Sequence, residues 1–181
     1  EMKVLVIGSG GREHAIVDAL SRSAQVSEIL CAPGNAGIAQ QARTFPVKDT
    51  DVEGLLKIAL DEKVDLTVVG PESALAAGVV DTFKANGLRI FGPTKAAAQI
   101  EASKEVAKNL MAKYGIPTAG YETFTDYESA KAYVDAHSLP TVLKYDGLAA
   151  GKGVVIATTP EEADSALRDM LLDDKFGKGK V

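Results

Sequence analysis

Four short apolar runs in the first half of the chain each end on a glycine- or proline-containing turn, and this recurrence restricts the fold more than any other feature. Val4–Ile7 closes on Gly8-Ser9-Gly10-Gly11, and Ile29–Ala32 closes on Pro33-Gly34-Asn35. Leu66–Val69 closes on Gly70-Pro71-Glu72, and Arg89–Phe91 on Gly92-Pro93-Thr94. Runs that are apolar at successive positions, not at alternate ones, read as strands buried on both faces. Helical patterns separate them. One follows Gly11 and runs to about Ser21, and another follows Thr50, where Glu53 three residues later suggests a capping box ahead of Val52, Leu55, Leu56, Ala59 and Leu60. A third is expected to run unbroken from the Gly70-Pro71-Glu72 turn to about Asn86-Gly87. Thr44–Val47 reads as a weaker strand, placed at an edge by Pro46. Strand and helix in alternation predict an α/β fold, a doubly wound parallel sheet, over residues 2–103.

The character then changes. A helix from Lys104 toward Tyr114 stops at Gly115, with Pro117 two residues on; residues 104–122 read as a connecting segment. Over 123–181, Thr125 and Glu128 suggest a second capping box, opening a helix to about Ala136. Thr141–Lys144 and Val154–Ala157 read as two strands around the loop Asp146–Gly153. Thr159-Pro160-Glu161-Glu162 then carries a cap, a first-turn proline and an acid at the third helical position. This small α+β unit reads as unfinished at Val181, where a further strand would complete it.

Composition narrows the function. A hydrophobic share of 46% and a charged share of 25% are ordinary for a globular chain. The net charge of −5 argues against a nucleic-acid partner. The single Cys31 excludes an internal disulfide and fits a reducing compartment. Val4–Ile7 is too short for a secretory leader, and nothing approaches the roughly 18 apolar residues of a membrane span. A cytoplasmic, soluble protein is expected, with no membrane partner.

In an open parallel sheet, ligands collect beyond the carboxyl ends of the strands, where the four turns lie. Any one of them reads as well as a tight strand-to-helix turn; four at successive strand ends point to a site. Glycines let backbone N–H groups approach a ligand, and the helix starting just after Gly11 favours an anion. A dinucleotide fingerprint would need Gly or Ala where Glu13 stands, and an acid where Ala32-Pro33-Gly34-Asn35 ends the second strand. A phosphorylated sugar fits better, with Arg12 and backbone amides on its phosphate and Asn35 and Glu72 on hydroxyl or amine groups. Arg12 reads equally as a solvated first-turn residue, and Glu13 as a favourable charge at a helix start. Glu72 is the more telling, since an acid directly after Gly-Pro has no evident capping role. Gly151-Lys152-Gly153 and Gly177-Lys178-Gly179 both lack the Walker hydroxyl. The first sits between two strands and reads as a lid over phosphates. Lys144 and Lys104 are each open to a ligand role or a structural one.

Together, Gly-Ser-Gly-Gly-Arg-Glu-His (8–14), Ala-Pro-Gly-Asn-Ala-Gly (32–37), Val-Val-Gly-Pro-Glu (68–72), Ile-Phe-Gly-Pro-Thr (90–94) and Asp-Gly-Leu-Ala-Ala-Gly-Lys-Gly-Val (146–154) resemble the glycinamide ribonucleotide synthetase family of the ATP-grasp superfamily. The likeness runs from Met2 to Val181 and departs at Tyr145, where the family usually has a small residue. It implies an ATP-dependent ligase that joins glycine to 5-phosphoribosylamine through a glycyl phosphate. By that resemblance Gly8, Ser9, Gly10, Gly11, Arg12, Glu13, Pro33, Gly34, Asn35, Gly70, Pro71 and Glu72 would hold the phosphoribosylamine. Lys104, Lys144 and the loop Gly147, Leu148, Ala149, Ala150, Gly151, Lys152, Gly153 would bind ATP. Mg²⁺ would be required, with its ligands beyond Val181, so these residues alone would not turn over. No general base or nucleophile is assignable within them. Another ATP-grasp ligase, a dinucleotide-dependent oxidoreductase and a non-catalytic binding module are the competing readings.

Overall fold

A computed structural model describes residues 1–181, which divide into two compact units, 1–98 and 99–181. In the first unit β1 (Met2–Gly8), β2 (Val26–Pro33), β3 (Arg43–Thr44), β4 (Leu66–Val69) and β5 (Ile90–Phe91) form one sheet in the order β3-β2-β1-β4-β5. Every neighbouring pair is parallel. The chain steps outward from β1 to β3 and then returns to the other side of β1 with β4. The order therefore reverses between β1 and β4, the place where such sheets open a crevice at their carboxyl edge.

The reason for the unbroken apolar runs is visible in the packing. Val4, Leu5, Val6 and Ile7 are all at most 1% exposed, so both faces of β1 are covered. Leu5 and Ile7 join one cluster with Leu55 and Ile58 of α2 (Val52–Asp61) and Phe83 of α4 (Val79–Ala85). Val6 joins another, on Val17 of α1 (Gly11–Ser21), together with Cys31 and Ile38. Helices thus lie on both faces, as the doubly wound reading requires.

Several local expectations are corrected. β3 is shorter than Thr44–Val47: the Phe45 N–H still donates to the Cys31 carbonyl, and Pro46 then has no donor to continue the ladder. The cap of α2 is Asp51, whose carboxylate accepts from the Gly54 N–H at 3.0 Å, not Thr50. The expected single helix after Gly70 is broken into α3 (Glu72–Ala76) and α4 by Gly78, at φ +89°. Glu72 is the first residue of α3, so its charge does favour a helix start. The unforeseen α5 (Lys95–Ala102) follows the Gly92-Pro93-Thr94 turn, where the Thr94 hydroxyl accepts from the Ala97 N–H at 3.2 Å.

The second unit contains α6 (Lys104–Lys113), α7 (Tyr127–Asp135), the antiparallel pair β6 (Thr141–Lys144) and β7 (Val154–Ala157), and α8 (Pro160–Leu171). Thr159 and Glu162 form the expected capping box of α8. For α7 the cap is Asp126, one residue later than Thr125: its carboxylate accepts from the Ser129 N–H at 2.8 Å. Ala163, Ala166, Leu167 and Met170 of α8 pack with Tyr127 and Ala130 of α7 and with Leu143 and Ala157 of the hairpin. Phe124 and Val181 exchange both backbone hydrogen bonds, at 2.8 and 2.9 Å. No helix is long and apolar enough to cross a membrane.

Candidate functional site

Three of the four strand-end loops meet at the carboxyl edge of the first unit. The Gly34 N–H donates to the Gly8 carbonyl at 3.0 Å, and the Gly70 N–H to the Ile7 carbonyl at 3.1 Å. Asn35 Nδ2 donates to the Ser9 carbonyl at 2.8 Å, while its Oδ1 accepts from the Ile38 N–H at 2.9 Å. The Asn35 Nδ2 thus ties the second loop to the first, and its Oδ1 fastens the turn into the short helix at Ile38–Gln40. The fourth loop serves packing: a side chain at Gly92 would meet Leu75 and Val80.

Glu13 explains why this turn departs from a dinucleotide fingerprint. Its side chain is buried, and its carboxylate accepts from the Gly10 N–H and from Arg12 Nε, both at 2.7 Å. A Cβ added at Gly70 would overlap that carboxylate, and one at Gly8, at φ +127°, would overlap the same side chain. Where a dinucleotide turn uses a third glycine to bring helix and strand together, here an acid fills the gap between the ends of β1 and β4. Glu13 is a support under the loops, not a surface contact. Burial pushes its carboxyl up, but the Arg12 hydrogen bond, the Gly10 N–H and the Arg12 charge outweigh that and hold it below the ordinary range. Beneath it, burial and then the Glu13 charge push the Cys31 thiol up to about 11.

Arg12 and Glu72 remain for a ligand. The Arg12 guanidinium leans on Glu13 through Nε and reaches Glu72 Oε2 with both terminal nitrogens at a long 3.4 Å. Both side chains are about half exposed, at 56% and 50%. They sit as a pair, not at opposite ends of a pocket. α1 begins behind Gly10, which has no side chain to cap it, so first-turn N–H groups remain available to an anion. His14 packs against Gly37. A surface depression of about 340 Å³ lined by Ser21, Val26, Ser27, Glu28, Ile29, Gln41, Ala42 and Arg43 lies toward the opposite edge of the sheet. Its Arg43 is already paired with Glu28 and Glu62, so the chemistry favours the strand-end loops.

In the second unit the loop Gly147–Gly153 joins β6 to β7, as expected of a lid. Lys104 does not point into open space: its ammonium donates to the carbonyls of Tyr145 at 3.0 Å and Gly147 at 3.2 Å. Asp146 accepts from the Ser103 hydroxyl at 2.9 Å and from the Glu105 N–H at 3.1 Å. The start of α6 thus grips the loop at its base, a role for Ser103 and Asp146 that sequence reasoning missed although Ser103 stands at a legible capping position. Lys144 is exposed on the outer face of the hairpin, beside Val142, Val154 and Ile156, which are 50, 43 and 66% exposed. The Tyr145 ring turns the other way, into the core of the unit. Leu148, Ala150, Gly151 and Lys152 form the exposed part of the loop, with Ala149 and Gly153 tucked beneath. No group of three or more His, Cys, Asp or Glu side chains is placed to hold a metal ion.

A doubly wound sheet with a glycine-rich turn at its switch point, followed by a helix-braced hairpin with a second glycine-rich loop, is the architecture of an α/β domain leading into an ATP-grasp module. The sequence matches the family model of the phosphoribosylglycinamide synthetase N domain over residues 2–101 and that of the phosphoribosylglycinamide synthetase ATP-grasp (A) domain over residues 102–181. The chain belongs to the phosphoribosylglycinamide synthetase family. It is 57% identical to the phosphoribosylamine–glycine ligase of Xylella fastidiosa over 97% of its own length. The structure resembles that of the phosphoribosylamine–glycine ligase of Thermotoga maritima, with a TM-score of 0.76 and 32% identity, over 98% of this chain and 42% of that one. It also shares its fold with the biotin carboxylase domain of the Hydrogenobacter thermophilus 2-oxoglutarate carboxylase, solved with MgADP, at a TM-score of 0.76 and 19% identity over 99% of this chain and 44% of that one. The chain spans about two fifths of the curated relatives it matches, 41% of the Xylella protein.

Proposed function

We propose that the protein to which these residues belong is an ATP-dependent ligase that joins glycine to 5-phosphoribosylamine, giving glycinamide ribonucleotide, ADP and phosphate in cytoplasmic purine synthesis. The observation that carries this reading is the meeting of the loops 8–13, 33–35 and 70–72 at the sheet's switch point, with a half-exposed arginine beside an uncapped helix start. Such a site suits one phosphate on a small polar body. Arg12 would exchange its long contact with Glu72 for the ligand's phosphate, and the freed Glu72 would accept from a ribose hydroxyl or the amine. The carboxylate of glycine takes the terminal phosphoryl group of ATP, releasing ADP. The amine nitrogen then attacks the acyl carbon, and phosphate leaves as the amide forms.

The second unit would serve the nucleotide. The loop Gly147–Gly153 would cover the phosphates and keep water from the acyl phosphate. Lys144, on the open face of the hairpin, would approach the nucleotide directly, while Lys104 would exchange a loop carbonyl for a phosphate oxygen. Mg²⁺ would screen the phosphate charge during transfer; no residue group here is placed to hold it, and its ligands would come from the rest of the ligase.

Hydrogen exchange of the 181-residue chain, with ribose 5-phosphate, MgATP and a nicotinamide dinucleotide added separately, tests the assignment. Ribose 5-phosphate should protect residues 8–13 and 70–72, MgATP should protect 147–153, and the dinucleotide should protect neither. Dinucleotide protection at residues 8–13 without a ribose 5-phosphate effect would overturn it.

A further inference from the structure

The Tyr145 ring lies between two glycine-containing segments that are about thirty residues apart in sequence. One is the loop 147–153, the other is Gly177-Lys178-Gly179, whose likeness to Gly151-Lys152-Gly153 has so far had no role. The ring is only 7% exposed and packs at 5.6 Å, centroid to centroid, on Phe176. A Cβ placed at Gly147 would stand 2.9 Å from Tyr145 Cε1, on one edge of the ring. One placed at Gly179 would stand 2.8 Å from both Cε2 and the hydroxyl oxygen, on the other edge. Gly153 lies against the Tyr145 Cβ in the same way, at 3.1 Å.

Conformation does not account for all of these glycines. Gly147 and Gly177 have φ of +150° and +94°, but Gly153 and Gly179 have no positive φ. At those two positions a side chain is excluded by what surrounds it, and for Gly179 that is the ring itself. The backbone repeats the pattern: the Tyr145 N–H donates to the Gly153 carbonyl at 2.7 Å, and the next N–H, of Asp146, donates to the Lys180 carbonyl at 2.7 Å. Two consecutive residues therefore hold one segment each, and one ring touches both.

We propose that Tyr145 is a positioning residue that couples the loop 147–153 to the segment 177–180, so that the two open and close as one unit. Because the ring fills the space between them, displacement of either segment leaves a gap or a clash at the other. The further statement that this unit closes over nucleotide phosphates rests on the ATP reading above; the coupling itself does not.

Hydrogen exchange of the 181-residue chain separates the two. Gly179→Ala places a methyl group against the ring, and we expect exchange across 147–153 to rise on the order of tenfold although the substitution lies far away in sequence. Tyr145→Ala should release both segments together, and Tyr145→Phe should restore both, since the hydroxyl's only partner, the Lys178 carbonyl, is at 3.5 Å. Addition of MgATP to the full-length ligase should protect both segments with one midpoint. A Gly179→Ala chain that loosens only 175–181 overturns the coupling. So does a Tyr145→Ala chain in which β6, β7 and α8 exchange as fast as the loops, because the residue is then merely part of the core. A full-length ligase in which MgATP leaves both segments unprotected removes the nucleotide reading, and the Gly179→Ala result still decides the coupling.

Discussion

Replacing Glu13 by glutamine keeps the shape of the side chain that fills the gap between β1 and β4 and removes its charge. The native carboxylate accepts from two donors, the Gly10 N–H and Arg12 Nε, each at 2.7 Å. A glutamine has one accepting oxygen and one donating nitrogen, so one of those donors must face another donor. Bonds to charged groups contribute about 1.5–3 kcal/mol each, and the lower end applies because Gly10 is exposed and Arg12 is half exposed, so water replaces part of the loss. A destabilisation of about 1.5 kcal/mol is expected at neutral pH. The assay uses the uneven placement of chromophores. All five tyrosines lie between residues 114 and 145, and there is no tryptophan. Tyrosine emission during urea unfolding therefore reports residues 99–181, whereas far-ultraviolet dichroism reports both units. The variant should lower the midpoint of the dichroism change that tyrosine emission does not follow. The effect should also depend on pH. The folded-state pKa of Glu13 lies below its ordinary value of 4.5, so its contribution is full above 4.5 and lost as the pH falls through the folded value. The gap between wild type and Glu13→Gln should accordingly close in acid. A gap within about 0.5 kcal/mol at neutral pH, the usual range for a featureless surface substitution, refutes the support role; a gap of constant size down to acid pH refutes the part assigned to charge.

Gly70→Ala should destabilise the first unit by about 1–3 kcal/mol, as overpacking does, since its methyl overlaps the Glu13 carboxylate; the same dichroism transition reads it. Thr159→Ala removes the cap of α8 and should lower the unfolding free energy reported by tyrosine emission by about 1 kcal/mol. Cys31 should resist alkylation in the native chain at mildly alkaline pH, because its thiol is buried and titrates at about 11, and should react at once on unfolding. Glu72→Gln, made in the full-length ligase, should reduce kcat/KM for phosphoribosylamine by about 1.5–3 kcal/mol in transition-state stabilisation with unchanged unfolding; a change within twofold makes Glu72 only a helix-start residue.

The sheet was legible because β1 and β2 are buried on both faces, and that burial imprints an unbroken apolar run on the sequence. The meeting of the turns at one edge followed from the same runs, since parallel strands leave all their following turns there. Caps were legible to within a residue: Thr50 and Thr125 each stand beside an aspartate that takes the bond instead, and at that range local pattern does not choose between two good acceptors. The break at Gly78 was hidden because a glycine inside a helical pattern also reads as tolerated.

Side-chain roles were the least legible part, and the reason is physical. A loop can present N–H groups to an anion only if its other polar groups are already held in place, and in both units polar side chains do that holding. Asn35 spans two loops, Glu13 ties Gly10 to Arg12, Asp146 fastens the start of α6, and Lys104 grips the carbonyls on either side of Asp146. Asn35, Glu13 and Lys104 look like ligand contacts in sequence, because the groups that recognise a phosphate or an amine are the same ones that recognise a backbone carbonyl or N–H. Which partner a side chain meets depends on the topology that brings residues 13 and 70, or 104 and 147, together. The work of fixing the loops before a ligand arrives reduces the ordering cost of binding. It also leaves a few polar or exposed groups unheld at these loops: Arg12, Glu72, the first-turn amides of α1 and the exposed part of the loop from Leu148 to Lys152.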